Sequence, residues 1–169
     1  MTVEKKYAST VQEVVLWNNP NNILGVEDNS CATSTSGDPT NKLDVLFDFA
    51  LPDNAVISEV LVDCKVACSL GYYLTIRMGD GGAGSLLLGE IDGAGRPICA
   101  TTAYLGAKDV TAFLDTPTKI NNCEIRFHHV QGGGGIPWTA YVDACWIQVT
   151  YTIPSPSKIV CDGLVTIVC

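Results

Sequence analysis

The residues that could do chemistry in this chain are eight cysteines, two histidines and three glycine-rich loops. Cys64 and Cys68 share one face of a predicted strand, where four residues of rise separate them by roughly 13 Å. That distance is too long for a disulfide, and no Cys-x-x-Cys pair suggests zinc. We expect the four central cysteines to be buried as small apolar side chains, with a cross-strand bridge as the alternative. These four are Cys64, Cys68, Cys123 and Cys145.

The two cysteines near the C-terminus belong to a different segment. A two-residue turn at Asp162-Gly163 places Cys161 opposite Leu164, too far from Cys169 for a bond between the two cysteines. Each would then need a partner elsewhere, either on the rest of the chain or on a neighbouring subunit. The alternative is that both are free thiols.

The histidines and the remaining residues do not combine into a catalytic pattern. His128 and His129 are neighbours in a predicted strand, so they point to opposite faces, one packed and one at the surface. No Gly-x-Ser-x-Gly elbow occurs, and no nucleophile is paired with a base. We therefore expect no enzymatic activity, no catalytic residue and no metal centre.

The glycine loops are predicted to be tight turns that need positive φ angles. They lie at Gly79–Gly84, Asp92–Gly95 and Gly132–Gly135. None carries the Lys-Ser/Thr of a phosphate-binding loop or opens a helix. No cofactor is expected, and a weak calcium site at Asp80 or Asp92 is the alternative.

The elements that must position these residues are strands. Short alternating apolar and polar runs recur between Gly, Asn, Asp and Pro, with at most one helical turn at 107–113. About eight strands in some 140 residues predict an all-β, antiparallel two-sheet sandwich that is jelly-roll-like. The expected strands cover 11–17, 43–49, 60–68, 74–78, 85–91, 98–104, 123–127 and 138–152.

A C-terminal β-hairpin extends this sandwich. We predict a sandwich domain over residues 1–152 and a Pro-containing linker with a hairpin over 153–169. Asp162-Gly163 between two Val/Ile-rich runs is a strong hairpin signal. A free hairpin is marginal in water and has open edges, so we expect it to dock on protein through its apolar residues. These are Ile159, Val160, Leu164, Val165, Ile167 and Val168.

The composition points to protein partners. The apolar fraction is 47%, the charged fraction only 17%, and the mean hydropathy is +0.22, so part of the apolar surface is expected to face a partner. The net charge of −8 and the pI of about 4.5 disfavour nucleic acid. No apolar run approaches the length of a membrane span.

Three phrases of the sequence resemble a loosely defined group of β-sandwich structural proteins of phages and phage-derived genomes. They are a Trp-x-Asn-Pro start at Trp17–Pro20, a Phe-x-Phe-x-x-Pro-x-x-Ala-x-Ile hairpin at Phe47–Ile57, and a closing Val142-Asp143 followed by Val149-Thr-Tyr151. The resemblance spans most of residues 11–152. It implies a role in a virion or at a surface, and it transfers no catalytic residue.

We therefore expect a structural, self-assembling virion protein: a decoration, minor capsid or tail component. Its partners would be copies of itself and other virion subunits, with disulfides from Cys161 or Cys169 locking the assembly. The N-terminal segment Met1–Lys6 lacks the apolar region of a secretory signal, so we expect synthesis in the cytoplasm and work in a virion or extracellular assembly.

Two alternatives stay open. The first is the subunit of an extracellular filament, in which the same tail links successive subunits. The second is a carbohydrate-binding module, because aromatic rings stack on the apolar faces of sugars. The rings considered for this platform are Trp17, Tyr72, Tyr73, Trp138 and Trp146.

Overall fold

The computed structural model describes residues 1–35, 38, 40–69, 72–82, 84–92, 99–131, 139–155, 158–161 and 165–168. Within these ranges the chain forms two antiparallel sheets and a C-terminal hairpin. The predicted fold, an antiparallel β-sandwich with a hairpin extension, is therefore confirmed. None of the helices in the described ranges is both long and apolar enough to cross a membrane.

The first sheet has the order β1-β11-β5-β8, with β3 also paired to β11 and β9 also paired to β5. Its long central strands are β5 and β11, which pair with each other along almost their whole length. The strands are β1 (Thr2–Tyr7), β3 (Ala32–Ser34), β5 (Val56–Cys68), β8 (Ala103–Tyr104), β9 (Lys108–Asp109) and β11 (Ala140–Thr152).

The second sheet has the order β2-β4-β10-β6-β7, so β10 lies at its centre. Its strands are β2 (Thr10–Val15), β4 (Lys42–Leu46), β6 (Tyr72–Gly79), β7 (Ser85–Asp92) and β10 (Glu124–Gln131). The hairpin consists of β12 (Lys158–Cys161) and β13 (Val165–Val168). One short helix, α1 (Pro117–Asn121), and two 3-10 turns, Pro20–Ile23 and Cys99–Thr101, complete the described elements.

The core lies between the inner faces of the two sheets. Alternation dictates which residues reach it, because successive side chains of a strand point to opposite faces. Each fully buried Val, Leu, Ile or Phe contributes roughly 1.5–3 kcal/mol from burial. Large inward residues of the two sheets include Val60, Val62, Ile147, Val149, Leu43, Val45, Ile76, Met78, Ile125 and Phe127.

A bulge in β11 changes which residues of that strand face inward. The pairing of β11 with β5 shifts between Val142 and Ala144, which places one extra residue in β11. Strict alternation from Cys145 predicts Tyr141 inward, but Tyr141 is only half-buried while Val142 is fully buried. The extra residue is Asp143, whose buried carboxylate makes a 2.7 Å ion pair with Nζ of Lys65.

Some short or peripheral elements differ from those that the sequence predicts. The helical turn expected at 107–113 is wrong, because Lys108–Asp109 instead forms β9 and pairs with Leu61–Val62 of β5. The helix lies at Pro117–Asn121, where Thr116 caps its N-terminus by accepting a hydrogen bond from the Lys119 backbone. The first strand, β1, was not predicted, because its alternation of Thr, Val and charged residues is weak as an isolated pattern.

The described cysteines include a bonded pair and a buried set. Cys31 and Cys99 form a disulfide with Cα atoms 5.7 Å apart, which confirms that the chain carries a disulfide. The prediction that the central cysteines are buried is confirmed for Cys64, Cys68, Cys123 and Cys145. Cys64 lies directly opposite Cys145 in the β5–β11 register. Hydrogen bonding to Cys145 and burial raise the pKa of the Cys64 thiol.

The hairpin differs from its predicted register. Cys161 pairs with Val165, Val160 with Thr166 and Ile159 with Ile167. Three residues, 162–164, therefore separate the paired positions, and the predicted two-residue turn with Cys161 opposite Leu164 is wrong. Leu164 and Cys169 lie outside the described residues. In the described residues, β12 and β13 pair with each other and with neither sheet of the sandwich.

Candidate functional site

The outward face of the second sheet carries a row of polar side chains centred on β10. Glu124, Arg126 and His128 alternate with the buried Ile125, Phe127 and His129, so they point away from the core. The prediction of one packed and one surface-facing histidine is confirmed, since His129 is fully buried and His128 is half-buried.

Neighbouring strands place further polar residues beside this row. Arg126 lies opposite Asp44 of β4 on one side and opposite Arg77 of β6 on the other. His128 lies opposite Thr75, and Glu124 lies opposite Gly79. A Cβ atom at position 79 would come within 2.8 Å of the Glu124 side chain. The glycine therefore gives Glu124 room to lie over the β6 backbone.

Ion pairs hold the centre of the row in place. Nε and Nη2 of Arg126 donate hydrogen bonds to the two carboxylate oxygens of Asp44, at 2.7 and 2.6 Å. Asp44 is almost fully buried, so this bidentate contact compensates for the loss of hydration of its charge. The hydrogen bonds to Asp44 raise the pKa of Arg126, whose guanidinium is thereby fixed in orientation.

The row is extended towards both edges of the sheet. On β2, the Glu13 carboxylate forms an ion pair with Nζ of Lys42 on β4, at 2.6 Å. On β7, Glu90 lies 3.4 Å from the Thr75 hydroxyl of β6. Tyr73 lies two residues before Thr75 on the same outward face and is 37% exposed. Charged and hydroxyl groups thus cross the whole width of the sheet.

Three adjacent hollows lie along this row, of about 480, 310 and 370 Å³. The first and second share Arg126, and the second and third share Glu124 and Gly82. They are therefore adjacent, and we call them together the polar trough. Its polar lining consists of Gln12, Glu13, Thr40, Asn41, Lys42, Arg77, Ser85, Asn121, Asn122, Glu124, Arg126 and His128.

The loop after β6 closes one end of the polar trough. Oδ1 of Asp80 accepts hydrogen bonds from the backbone N–H groups of Gly82 and Gly84, at 3.0 and 3.2 Å. Gly81 has a φ of +76°, and a Cβ there would lie 2.4 Å from Cβ of Asn122. The Asp80 carboxylate thus shapes a tight turn, as the turn interpretation predicts. The side chain of Asp92, the other calcium candidate, lies outside the described residues.

No metal centre emerges from the described side chains: among them, no three His, Cys, Asp or Glu residues cluster as metal ligands would. A buried polar chain does run through the interior beside the trough. Trp17 Nε1 donates to Oδ1 of Asn41 at 2.6 Å, Asn41 donates to the Ser34 hydroxyl, and Ser34 lies 3.3 Å from Nδ1 of His129. All four side chains are buried, and their hydrogen bonds hold Asn41 in place where it borders the first hollow.

Among the described residues, the rings considered for an aromatic platform do not lie on one surface. Trp17 is buried in the core. Trp146 lies on the first sheet, where the Lys5 ammonium lies 3.9 Å from its ring centroid, whereas Tyr73 lies on the second sheet. These rings share no surface. The side chain of Tyr72 and residue Trp138 lie outside the described part of the chain.

For the predicted docking residues the structure supplies backbone placement. Ile159 lies opposite Ile167, Val160 opposite Thr166, and Val168 opposite Lys158. Cys161 lies beside Val165 at the turn end of the hairpin. The predicted docking role of these positions stays a prediction, as does the role of Cys161 and Cys169 in cross-linking.

Sequence reasoning missed the polar trough, although one signal was present. The alternation Glu124, Arg126, His128 marks an outward face, but such a run normally indicates a solvated surface. The trough depends on residues far apart in sequence; Glu13 and His128 of the first hollow, for example, are 115 positions apart. Only the strand order brings them together.

Comparisons with known proteins give little beyond this geometry. No family model matches the chain, and no curated protein matches it. Among solved structures, the chain is similar to one described as "xylan-binding module CBM15", with a TM-score of 0.46 and 12% identity. The match covers 88% of this chain and 96% of that chain. A likeness at this level transfers no ligand and no residue role.

Proposed function

We propose that this protein is a non-enzymatic binding module whose polar trough takes a carbohydrate. The observation that carries the proposal is the polar trough, the row of three adjacent hollows along the second sheet. Its hollows fall within the size range of small-molecule sites, and its lining is rich in side chains that present paired donors or acceptors. Neighbouring hydroxyls on a sugar ring both donate and accept, so they match such planar groups.

Pre-organisation of the polar trough supports this function. Arg126 uses two of its five N–H groups on Asp44, so the others can donate to a ligand without moving the side chain. Because the side chains stand on paired strands, little ordering is needed on binding. Each hydrogen bond exchanged with water contributes only about 0.5–1.5 kcal/mol. An extended ligand that makes several contacts is therefore favoured over a single sugar.

One feature favours binding without cleavage. Two carboxylates beside or in the polar trough are paired with cations: Asp44 with Arg126, and Glu13 with Lys42. General acids need a carboxyl group whose pKa is raised by burial away from cations. We therefore expect the bound polysaccharide to be recovered intact, and the release of reducing ends during incubation would contradict this part of the proposal.

The test is binding to an array of soluble polysaccharides, followed by calorimetry on the strongest ligand. Glu124→Ala should weaken binding at least tenfold, because Glu124 lines both the second and the third hollow. The matched control is Gln148→Ala, an equally half-buried polar residue on the outward face of the first sheet, which should leave the affinity unchanged. Absence of binding to every glycan, or equal losses in both variants, would refute the trough as a carbohydrate site.

A second candidate function is assembly through the C-terminal hairpin, as a virion component or filament subunit. The observation that favours it is the pairing of β12 and β13, which pair only with each other among the described strands. An isolated two-stranded hairpin is marginal, and its open edges can add to another sheet. Docking of its six apolar residues would contribute roughly 1.5–3 kcal/mol per side chain before ordering costs.

Deleting residues 153–169 separates the two functions. If assembly depends on the hairpin, the full chain should form oligomers in light scattering and the truncated chain should be a folded monomer. Non-reducing electrophoresis would show whether Cys161 or Cys169 links the subunits. Glycan binding by the truncated chain should persist, since the polar trough contains no residue beyond 128. The same oligomeric state for both chains would refute hairpin-mediated assembly and leave the carbohydrate proposal standing.

A further inference from the structure

Arg77 differs from the other cations of the polar trough, because no carboxylate among the described residues pairs with it. It is exposed on β6, lines the second hollow, and lies directly opposite Arg126 in the β10–β6 register. Like charges placed directly opposite on adjacent strands repel each other. Arg126 is neutralised by Asp44 and lies 3.9 Å from Glu124. Among the described residues, no carboxylate forms an ion pair with Arg77.

This lack of a partner is uncommon in the chain. The sequence has 18 acidic residues against 10 Lys and Arg, so carboxylates are abundant. Among the described cationic side chains, only Arg77 and Lys108 lack an ion pair or a stacked ring. The other six have one: Lys5, Lys6, Lys42, Lys65, Lys119 and Arg126.

The second hollow has room for an anion beside Arg77. Its volume is about 310 Å³, and three of its seven lining residues are glycines. Ser85, which is paired with Gly79 at the edge of the sheet, adds a hydroxyl to the same hollow. A guanidinium presents two parallel N–H donors that match a carboxylate or a sulfate oxygen pair. The hollow therefore supplies a guanidinium with two parallel donors, a hydroxyl, and space for an anionic group.

We propose that the carbohydrate bound in the polar trough is an acidic one, whose anionic group, a carboxylate or a sulfate ester, pairs with Arg77. This inference rests on the proposed function and names the ligand class of the same site. The net charge of −8 repels polyanions at long range. Affinity for an acidic glycan would consequently come from local contacts in the second hollow rather than from general attraction.

The experiment measures the preference for polygalacturonate over its fully methyl-esterified form, which carries neutral methyl esters in place of the carboxylates. The proposal predicts at least a tenfold preference for the acid, and Arg77→Met should reduce that ratio to near one. Arg77→Lys should give an intermediate ratio, because it keeps the charge and loses the fork. Lys108→Gln, at the other unpartnered cation, should leave the ratio unchanged. A parallel comparison of dextran sulfate with dextran identifies sulfate as the recognised anion if only that pair shows the preference.

The outcomes separate the two proposals. Binding of neutral and acidic glycans with equal affinity would overturn the anionic ligand and leave the carbohydrate function intact. Binding of no glycan would overturn both. If Arg77→Met and Lys108→Gln reduced the preference equally, the overall charge of the protein would explain the preference, and the role of Arg77 would be overturned. The thermal midpoint of Arg77→Met should not fall, since the change removes a like-charge opposition, and this checks that any loss is not unfolding.

Discussion

Breaking the Cys31–Cys99 disulfide should destabilise the sandwich strongly. Cys31 immediately precedes β3, and Cys99 begins the 3-10 turn that leads to β8. The bond therefore links the segment before β3 to the turn that leads into β8, the strand at one end of the first sheet. In that segment the backbone N–H of Asp28 lies 3.4 Å from Asp143, and the Asn29 carbonyl oxygen lies 3.1 Å from the Cys99 sulfur. The segment thus lies beside the buried ion pair of Asp143.

The magnitude follows from the length of the loop that the bond closes. The two cysteines are 68 residues apart in sequence. The chain-entropy relation for a loop of this length gives about 4 kcal/mol of stabilisation at 25 °C. For a chain of this size each kcal/mol shifts the melting temperature by roughly 2–4 °C. Loss of the bond should therefore lower the midpoint by roughly 8–16 °C.

The assay compares urea and thermal unfolding of the oxidised protein, the reduced protein and the Cys31→Ser/Cys99→Ser double variant. The reduced protein and the double variant should share one lower midpoint, and reductant should not shift the double variant further, because that variant already lacks the Cys31–Cys99 bond. Peptide mapping of the oxidised protein should find Cys31 joined to Cys99. An unchanged midpoint on reduction, or a different partner for Cys31, would refute the reasoning.

Three further outcomes are expected. Lys65→Met should cost about 3 kcal/mol in urea unfolding, because it leaves the Asp143 carboxylate buried without its cation. Since hydrogen bonding to Asp143 raises the pKa of Lys65, the pair's contribution should be complete below the unfolded-state pKa near 10.5 and should be lost as pH rises through the higher folded-state value. Gly81→Ala should lower the melting temperature of the protein more than Gly25→Ala does. Both glycines have a positive φ, but a Cβ at position 25 would have no atom within 4 Å. Equal losses in melting temperature would contradict the predicted clash at position 81. Cys123, whose pKa burial raises to about 12, should resist iodoacetamide in the native protein at pH 8 and react after unfolding, as measured by mass spectrometry.

Much of the architecture could be predicted from local pattern. Alternation identified the inward faces of β5, β6 and β10, because one buried face imposes a period of two on each strand. The same pattern correctly predicted the central cysteines as buried. It failed at Tyr141, because a bulge adds one residue and reverses the faces beyond it. Nothing in the run Trp138–Thr152 indicates where that residue is inserted.

The edges and the short elements were harder to predict. β1 became a strand only because it pairs with β11 along residues 146–151, a partner more than 140 positions away. β9 likewise pairs with β5 where a helical turn was expected. Pairing energy from a distant strand overrides weak local propensity.

By itself, the sequence determined the class of the fold, the inward faces of most strands, the buried cysteines and a hairpin at the C-terminal end. These depend on periodicity and turn residues, which are local properties. The tertiary structure alone decided the strand order that places β10 between β4 and β6, and with it the Asp44–Arg126 pair, the opposition of Arg77 and Arg126, and the polar trough. It also decided that Cys31 bonds to Cys99. Contacts between residues far apart in sequence depend on which strands pair, and strand pairing is set by the packing of the whole sandwich.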